Sequence, residues 1–251
     1  MKRALAALIT ALLVTTAFAF DLGGRVITVG SDTTYPPFET VNEAGEIVGF
    51  DVDVVKAICE QINCVVEFQT TAWDGIFAAL AAGEFDMVAS GASITEDRLK
   101  VVDFTDPYFV VSQAIALRVE DEDVTYDEFI AGLYYRLGAQ TGTTNAMTGE
   151  ELVGRERLSL YDTFAQAFLA LVSGDIDGVI VDDAAADSYI EQHAGELVIA
   201  IRGIESGDML GFAIQKGDEL ADALNYGLEI IKENGTLDAL TEQWLSDPIE
   251  D

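Results

Sequence analysis

Short apolar runs alternate with amphipathic segments along most of the chain. Eight apolar runs have the composition of strands, at residues 26–29, 65–68, 87–89, 114–117, 137–139, 178–181, 197–201 and 211–214. Six longer segments carry an apolar residue at every third or fourth position, as helices do, at residues 51–61, 73–82, 164–173, 184–192, 220–233 and 237–244. This alternation predicts an α/β fold in which helices flank mostly parallel sheets.

Two interruptions of the pattern predict a division into lobes. In ALRVEDEDVTYDEF an apolar run gives way to an acidic cluster at residues 120–123, and in IESGDMLGFAI Gly207 and Asp208 separate two apolar runs. A solvated loop would explain the first interruption by itself. Together they predict that residues 111–210, including hinge strands, form a second lobe, while residues 20–110 and 211–251 form the first.

Residues 1–19 have the layout of a secretory signal peptide. Lys2 and Arg3 form a basic start, residues 4–14 are almost wholly apolar, and Ala17-Phe18-Ala19 fits a small-residue cleavage site. A transmembrane anchor is the alternative, but the apolar run is short for a bilayer. We therefore expect cleavage after Ala19 and a mature protein in the periplasm.

The net charge and the cysteines limit which partners, cross-links and metal sites the chain is expected to have. The 251 residues include 13 Lys+Arg against 45 Asp+Glu, a net charge of −32, so a nucleic-acid partner is not expected. Cys59 and Cys64 are the only cysteines, and an exported protein meets an oxidising compartment, so we expect a disulfide, with two buried thiols as the alternative. Two cysteines and one histidine offer no convincing zinc site, and no metal or cofactor is predicted.

An arginine in SGASITEDR lacks an obvious structural reason. Thr95 has the features of a helix N-cap, which places Arg98 at the third helical position, facing the positive end of the helix dipole. An arginine that binds a carboxylate suits such a position, because its guanidinium matches two carboxylate oxygens and backbone N–H groups lie nearby. An internal salt bridge to one of the many acidic residues is the alternative.

A carboxylate in DIDGVIVDDAAAD raises the same question. Asp183 is suited to cap the helix predicted to start at residue 184, which leaves Asp182 at the end of a buried-type strand without a structural role. Ligands of open α/β sheets bind beyond the carboxyl ends of strands, and a carboxylate there suits an ammonium group. Capping by either aspartate is the alternative.

Two further turns carry candidate binding groups. Residues 140–144, in GAQTGTTNAM, follow a strand with hydroxyls and a glycine that can donate to an anion, but the lysine of a phosphate loop is missing. In GSDTTYPPFE the two prolines stiffen a loop that presents Asp32 and Tyr35. Tyr35 could form one aromatic wall of a binding site, and Trp73 could form the opposite wall. Core packing is the alternative for each aromatic residue, and we assign Trp244 to the core.

In chain order, DTTYPPFE, GFDVDVVKAI, WDGIFAALAAGEFDMVASGASITEDRLKVVDFTDPY, QTGTTNA and DGVIVDD resemble the extracytoplasmic solute-binding proteins of family 3. These are periplasmic receptors for polar amino acids that serve ABC importers, and the resemblance covers essentially the whole mature chain. It implies a two-lobed Venus flytrap whose lobes are joined by two hinge crossovers. It also implies a membrane permease as partner, and we expect a monomer.

The resemblance implies roles for single residues. Arg98 would bind the α-carboxylate of the ligand and Asp182 its α-ammonium group. Ser90, Gly91, Ser93, Thr141 and Thr144 would complete this cage, and Asp32, Tyr35, Trp73 and Gln140 would surround the ligand side chain. The negative field favours a cationic or polar neutral amino acid. Closure of the lobes would bring the two charged poles together on the ligand.

A cyclohexadienyl dehydratase on the same fold is the alternative function. Such an enzyme needs an acid/base carboxylate in the cleft, for which Asp32 or Asp183 qualifies. His193 lies in a polar helix segment and is expected to be exposed, so the sequence offers no general acid with a distinct environment.

Overall fold

The computed structural model describes residues 20–245, apart from the side chains of residues 205 and 206. The strands, β1 to β13 in chain order, are Arg25–Ser31, Thr34–Tyr35, Glu39–Val41, Ile47–Val48, Cys64–Thr70, Met87–Val88, Val102–Phe104, Phe109–Arg118, Leu137–Gln140, Leu158–Tyr161, Gly178–Asp182, Leu197–Leu210 and Ala213–Gln215. The α-helices, α1 to α8, are Phe50–Ile62, Ile76–Ala82, Tyr126–Ala131, Thr144–Val153, Phe164–Val172, Asp183–Gln192, Leu220–Glu233 and Thr236–Leu245. The predicted signal peptide and its cleavage after Ala19 lie outside the described residues.

Two five-stranded sheets form the centres of two lobes. The first has the order β5-β1-β6-β13-β7 and the second the order β10-β9-β11-β8-β12. In each sheet two neighbouring pairs are parallel and two are antiparallel. The predicted two-lobed α/β fold is confirmed, but each sheet is mixed rather than mostly parallel. The antiparallel pairs involve β8 and β13, which enter their sheets from the crossovers between lobes and not from a βαβ unit.

The two crossovers pair with each other. β8 and β12 run antiparallel from Leu197 opposite Arg118 to Leu210 opposite Phe109, with register shifts between residues 199 and 208. The chain leaves the first sheet into β8 and returns to it along β12, so this ribbon is the hinge. The lobe limits of 20–110 with 211–251, and 111–210, stay a prediction, and the sheet membership of the strands is consistent with them.

The first helix illustrates how the apolar pattern produces the core. Phe50, Val54, Ile58 and Ile62 recur at intervals of four and all have zero exposure, so they form one buried face of α1. The helix ends at Ile62, and Asn63 after it adopts a left-handed conformation with φ 53°. The chain then enters β5, and the predicted disulfide between Cys59 and Cys64 joins the end of the helix to the strand.

Local differences from the sequence predictions have simple causes. α2 begins at Ile76 rather than at residue 73, because Trp73 and Gly75 form a turn in which Gly75 has φ 84°. The prediction missed the strands β2, β3, β4, β7 and β10 and the short helix α3. The assignment of Trp244 to the core was too strong, because the residue is partly buried and its indole N–H donates to the Asp53 Oδ2 at 3.0 Å.

Candidate ligand-binding site

A cavity lies in the cleft between the lobes and contains about 310 Å³ of space free of protein atoms, its open mouth included. The first lobe contributes Asp32, Tyr35, Glu39, Trp73, Ser90, Gly91, Ser93 and Arg98, and the second lobe contributes Gln140, Thr143, Thr144, Asn145, Phe164 and Asp182. Ten of the eleven residues predicted to bind the ligand therefore lie around one cavity.

Arg98 provides the positive pole of the cavity. Its Nη1 donates to the Ser93 carbonyl at 2.7 Å and its Nη2 to the Gly142 carbonyl of the opposite lobe at 3.3 Å. Its Cζ lies 5.1 Å from the centre of the Trp73 ring and 4.8 Å from that of Phe77, which fits cation–π contact. Within residues 20–245 no salt bridge joins Arg98 to a carboxylate. The internal ion pair is thus not what holds this arginine.

The local structure at Arg98 differs in part from its prediction. The Thr95 hydroxyl accepts a hydrogen bond from the Arg98 N–H at 3.2 Å, as an N-cap does. The helix that follows is only a three-residue 3₁₀ turn, Arg98–Lys100, so the argument from a helix dipole was wrong. Burial lowers the pKa of Arg98 to about 10, and the charges of Asp182 and Asp208 oppose that shift. The guanidinium stays protonated at neutral pH.

Asp182 provides a negative pole from the second lobe. It is the last residue of β11, and its carboxylate accepts from the Tyr35 hydroxyl at 2.7 Å and from the Asn145 amide at 2.8 Å. It makes no capping hydrogen bond to α6, whereas Asp183 accepts from the Ala184 N–H at 2.9 Å. Burial raises the pKa of Asp182 to about 6, partly offset by these two hydrogen bonds. The strand-end carboxylate inferred from the sequence is present but already accepts two hydrogen bonds, and α6 begins at Asp183 rather than at residue 184, with Asp182 in the N-cap position.

Two more carboxylates line the cavity from the first lobe. Asp32 accepts from the Thr34 hydroxyl at 2.8 Å and, across the cleft, from the Gln140 amide at 2.7 Å. Glu39 has zero exposure, and its Oε1 accepts from the Ser90 hydroxyl at 2.6 Å, while its Oε2 has no hydrogen-bond partner within residues 20–245. Burial, and then the neighbouring Asp51, raise the pKa of Glu39 well above its usual range. An unpaired buried carboxylate oxygen is costly unless a donor reaches it.

Aromatic rings flank the cavity on both sides. Tyr35 stacks on Phe38 at 5.4 Å and, across the cleft, on Phe164 at 5.2 Å between ring centres. Gly91 lies at the edge of the Tyr35 ring with φ 52°, and a Cβ there would come within 2.8 Å of the Tyr35 Cε1. Only glycine fits this position without moving the ring. Trp73 lies beside the Arg98 guanidinium, so both predicted walls border the cavity.

Thr141 is the one predicted residue outside the cavity lining. Its hydroxyl donates instead to the Tyr161 carbonyl of the neighbouring strand at 3.2 Å, so the geometry does not support its predicted place in the cage. Sequence reasoning missed Glu39, Asn145 and Phe164, as well as Thr143 as a separate contact. Glu39 ends the quoted motif TYPPFE, so a search for acidic residues beside the stiff proline loop would have found it.

Of the residues considered for enzyme catalysis, Asp32 lines this cavity, whereas Asp183 and His193 do not. Asp183 is half-buried outside the lining, and His193 ends α6 with its Nδ1 4.0 Å from Glu196. Over residues 20–245, no cluster of side chains suited to a metal ion is found, and no helix is long and apolar enough to cross a bilayer.

Comparison with known proteins identifies the family. The sequence profile of the bacterial extracellular solute-binding proteins, family 3, matches residues 27–247. The chain belongs to this family. ABC transporter arginine-binding protein 1 of Escherichia coli (strain K12) is 34% identical over 223 residues, which cover 87% of this chain and 90% of that protein. A probable histidine-binding protein of Neisseria gonorrhoeae is 29% identical over 227 residues, covering 89% and 84%.

Solved structures of the family have the same fold. An ancestral arginine-binding protein bound to arginine is 36% identical with a TM-score of 0.81, covering 88% of this chain and 98% of that one. The arginine-, lysine-, histidine-binding protein ArtJ from Geobacillus stearothermophilus is 28% identical with a TM-score of 0.80, covering 90% and 97%. An ancestral amino acid-binding protein described as a precursor of cyclohexadienyl dehydratase is 33% identical with a TM-score of 0.79, covering 88% and 95%. These relatives place the chain among amino-acid receptors of ABC transporters.

Proposed function

We propose that this protein is a periplasmic receptor that binds a cationic amino acid, arginine first, and delivers it to the permease of an ABC importer. The observation that carries the proposal is the charge of the cavity. Among the described residues, Asp32, Glu39 and Asp182 line the cavity with one guanidinium, that of Arg98, and the Glu39 Oε2 has no hydrogen-bond partner. A ligand with one carboxylate and two cationic groups matches that arrangement.

The two ends of the zwitterion have separate partners. Arg98 takes the α-carboxylate, because two of its roughly five N–H donors are used by carbonyls and the others are free to bind two oxygens. Asp182 takes the α-ammonium group, since its carboxylate accepts two hydrogen bonds of roughly four that it can accept. Ser90, Gly91, Ser93 and Thr144 complete this end of the cage.

The ligand side chain extends towards the first-lobe carboxylates. A guanidinium or ammonium group donates to Glu39 and Asp32, while Tyr35 and Trp73 contact its aliphatic part, and Gln140 closes the site from the second lobe. The relatives support this assignment, since they are binding proteins for arginine or for arginine, lysine and histidine. The protein acts as a monomer, is exported with cleavage after Ala19, and binds no nucleic acid.

We propose a receptor and not a dehydratase. Asp32, the dehydratase candidate that does line the cavity, accepts hydrogen bonds from Thr34 and Gln140, and the relatives named above are amino-acid-binding proteins. Incubation with prephenate or arogenate is expected to yield no aromatic product. Formation of that product at a rate above a heat-inactivated control would overturn this part of the proposal.

Calorimetric titration with the twenty amino acids, ornithine and citrulline tests the function. We expect the tightest binding for arginine, and tight binding of aspartate alone would refute the proposal. Arg98→Ala should weaken binding by about 3–5 kcal/mol, because it leaves the ligand carboxylate buried without a partner. Arg155→Ala, at an exposed arginine of the second lobe, is the matched control and should bind as the wild type does.

A further inference from the structure

Five side-chain hydrogen bonds cross the cleft within residues 20–245, apart from those of the hinge strands. Four of them involve side chains that line the cavity: Tyr35 to Asp182, Gln140 to Asp32, Ser93 with Thr144, and Arg98 to Gly142. The fifth joins the Tyr189 hydroxyl of the second lobe to the Thr34 carbonyl of the first at 2.8 Å. Neither of its residues lines the cavity, so a ligand does not compete for this bond.

The Tyr189 hydroxyl is held in place by its surroundings. The residue lies on α6 and is 4% exposed, and its ring stacks on Phe168 with 4.1 Å between centres and 17° between planes. Phe168 is one turn beyond Phe164, the residue that stacks on Tyr35. One face of α5 thus supports both tyrosines that reach across the cleft, and the Tyr189 ring needs no rearrangement to donate.

The receiving residue is connected to the cavity. Thr34 forms part of the short strand β2, and its carbonyl accepts from Tyr189 while its hydroxyl donates to the Asp32 Oδ1 at 2.8 Å. Burial raises the pKa of Tyr189 above its ordinary value, and the charges of Asp32 and Glu39 act in the same direction. The hydroxyl therefore keeps its proton and acts as a donor at every physiological pH.

We propose that Tyr189 is a positioning residue for closure, which stabilises the closed lobes through Thr34 without touching the ligand. The inference rests on the proposed function, because closure matters only to a receptor that binds between its lobes. A bond made only in the closed form multiplies the affinity for each ligand by the same factor. A residue that contacts the ligand changes affinity by a factor that depends on the ligand.

Tyr189→Phe removes the hydroxyl and keeps the stacked ring. Titration of wild type and variant with arginine, lysine and histidine should give dissociation constants raised by about 2- to 12-fold in the variant, from the usual net value of one hydrogen bond. The factor should agree among the ligands within about threefold. Stopped-flow kinetics should show that the weaker binding comes from a higher dissociation rate constant, with little change in the association rate constant. Tyr126→Phe, at a 40% exposed tyrosine of the same lobe, is the matched control.

An unchanged affinity, or a factor that differs widely among the ligands that bind, would overturn the inference. A melting temperature of the ligand-free variant close to that of the wild type would exclude a folding defect. If wild type binds none of the three amino acids, the proposed function fails, and the closure role is then tested with whichever other amino acid wild type binds. Tyr189→Phe should weaken that binding by the same factor of about 2 to 12, and unchanged affinity would end the proposal. If no amino acid binds at all, the closure role fails as well, because it requires a ligand between the lobes.

Discussion

Glu39→Gln isolates the charge that we assign to recognition of the ligand side chain. The substitution preserves the size of the side chain and an oxygen that accepts from the Ser90 hydroxyl, which lies 2.6 Å from the Glu39 Oε1 in the structure. It replaces the unpaired carboxylate oxygen Oε2 with the NH₂ group of a neutral amide. The fold and the zwitterion poles at Arg98 and Asp182 stay intact, so a change in affinity reports on the ligand side chain.

Two opposing effects set the magnitude. A hydrogen bond to a charged group contributes about 1.5–3 kcal/mol, so its loss should weaken arginine binding by about 10- to 150-fold. Because burial raises the pKa of Glu39, arginine has to displace a proton from it, and this cost reduces the advantage of wild type at low pH. We therefore expect a gap between wild type and variant that is largest near about pH 8 and shrinks towards about pH 6.

Titration calorimetry at both pH values, with arginine and its neutral analogue citrulline, measures these quantities. Wild type should release protons on binding arginine at pH values where Glu39 is protonated, which appears as a dependence of the heat on the buffer. Glu39→Gln should lose that dependence and should bind citrulline nearly as well as wild type does. Glu84→Gln, at an exposed glutamate of the same lobe, is the control. Equal arginine affinity in Glu39→Gln and wild type at both pH values would refute the reasoning.

Three further outcomes are expected. Burial raises the pKa of Asp51 to about 7, so the folded protein keeps a proton on Asp51 at pH values where the unfolded chain has released it. The melting temperature of the ligand-free protein should therefore rise as the pH falls from about 8 to 5. Asp51→Asn should flatten this rise, and an unchanged slope would contradict the reasoning. Replacing Cys59 and Cys64 with serine should lower the free energy of unfolding in urea by about 2 kcal/mol, the loop-entropy value for residues five apart, and no loss would contradict that value. Gly91→Ala should strain the backbone by about 1–3 kcal/mol and displace the Tyr35 ring. Calorimetry should then show weaker arginine binding, while the circular dichroism spectrum stays that of the wild type. Unchanged affinity would show that the ring adapts.

Features encoded by nearby residues could be predicted from the sequence. The four-residue interval of Phe50, Val54, Ile58 and Ile62 is enough to place α1, and the strand that ends in Asp182 places a carboxylate at a sheet edge. Arg98 could be recognised as unexplained because the chain has few cations. The family resemblance then gave these two poles a common ligand, which spacing alone did not.

Features made by the approach of distant segments could not be predicted in this way. Glu39 can be found beside the proline loop, but its place in the site depends on Ser90, 51 residues further along the chain, whose hydroxyl meets it in the cavity. Thr141 looks equivalent to Thr144 in the sequence, yet its hydroxyl is taken by the carbonyl of a strand twenty residues away. The mixed sheets have the same origin, since β13 owes its position to the return of the chain from the other lobe.

The position of β13 bears on how the protein is made. This strand lies between β6 and β7, at residues 213–215, and it holds the two sides of the first sheet together. The second sheet is built from a continuous stretch of chain that ends at residue 210 and needs nothing from the C-terminal part. A chain that emerges from its N-terminus to its C-terminus therefore contains every strand of the second sheet before it contains the strand that completes the first.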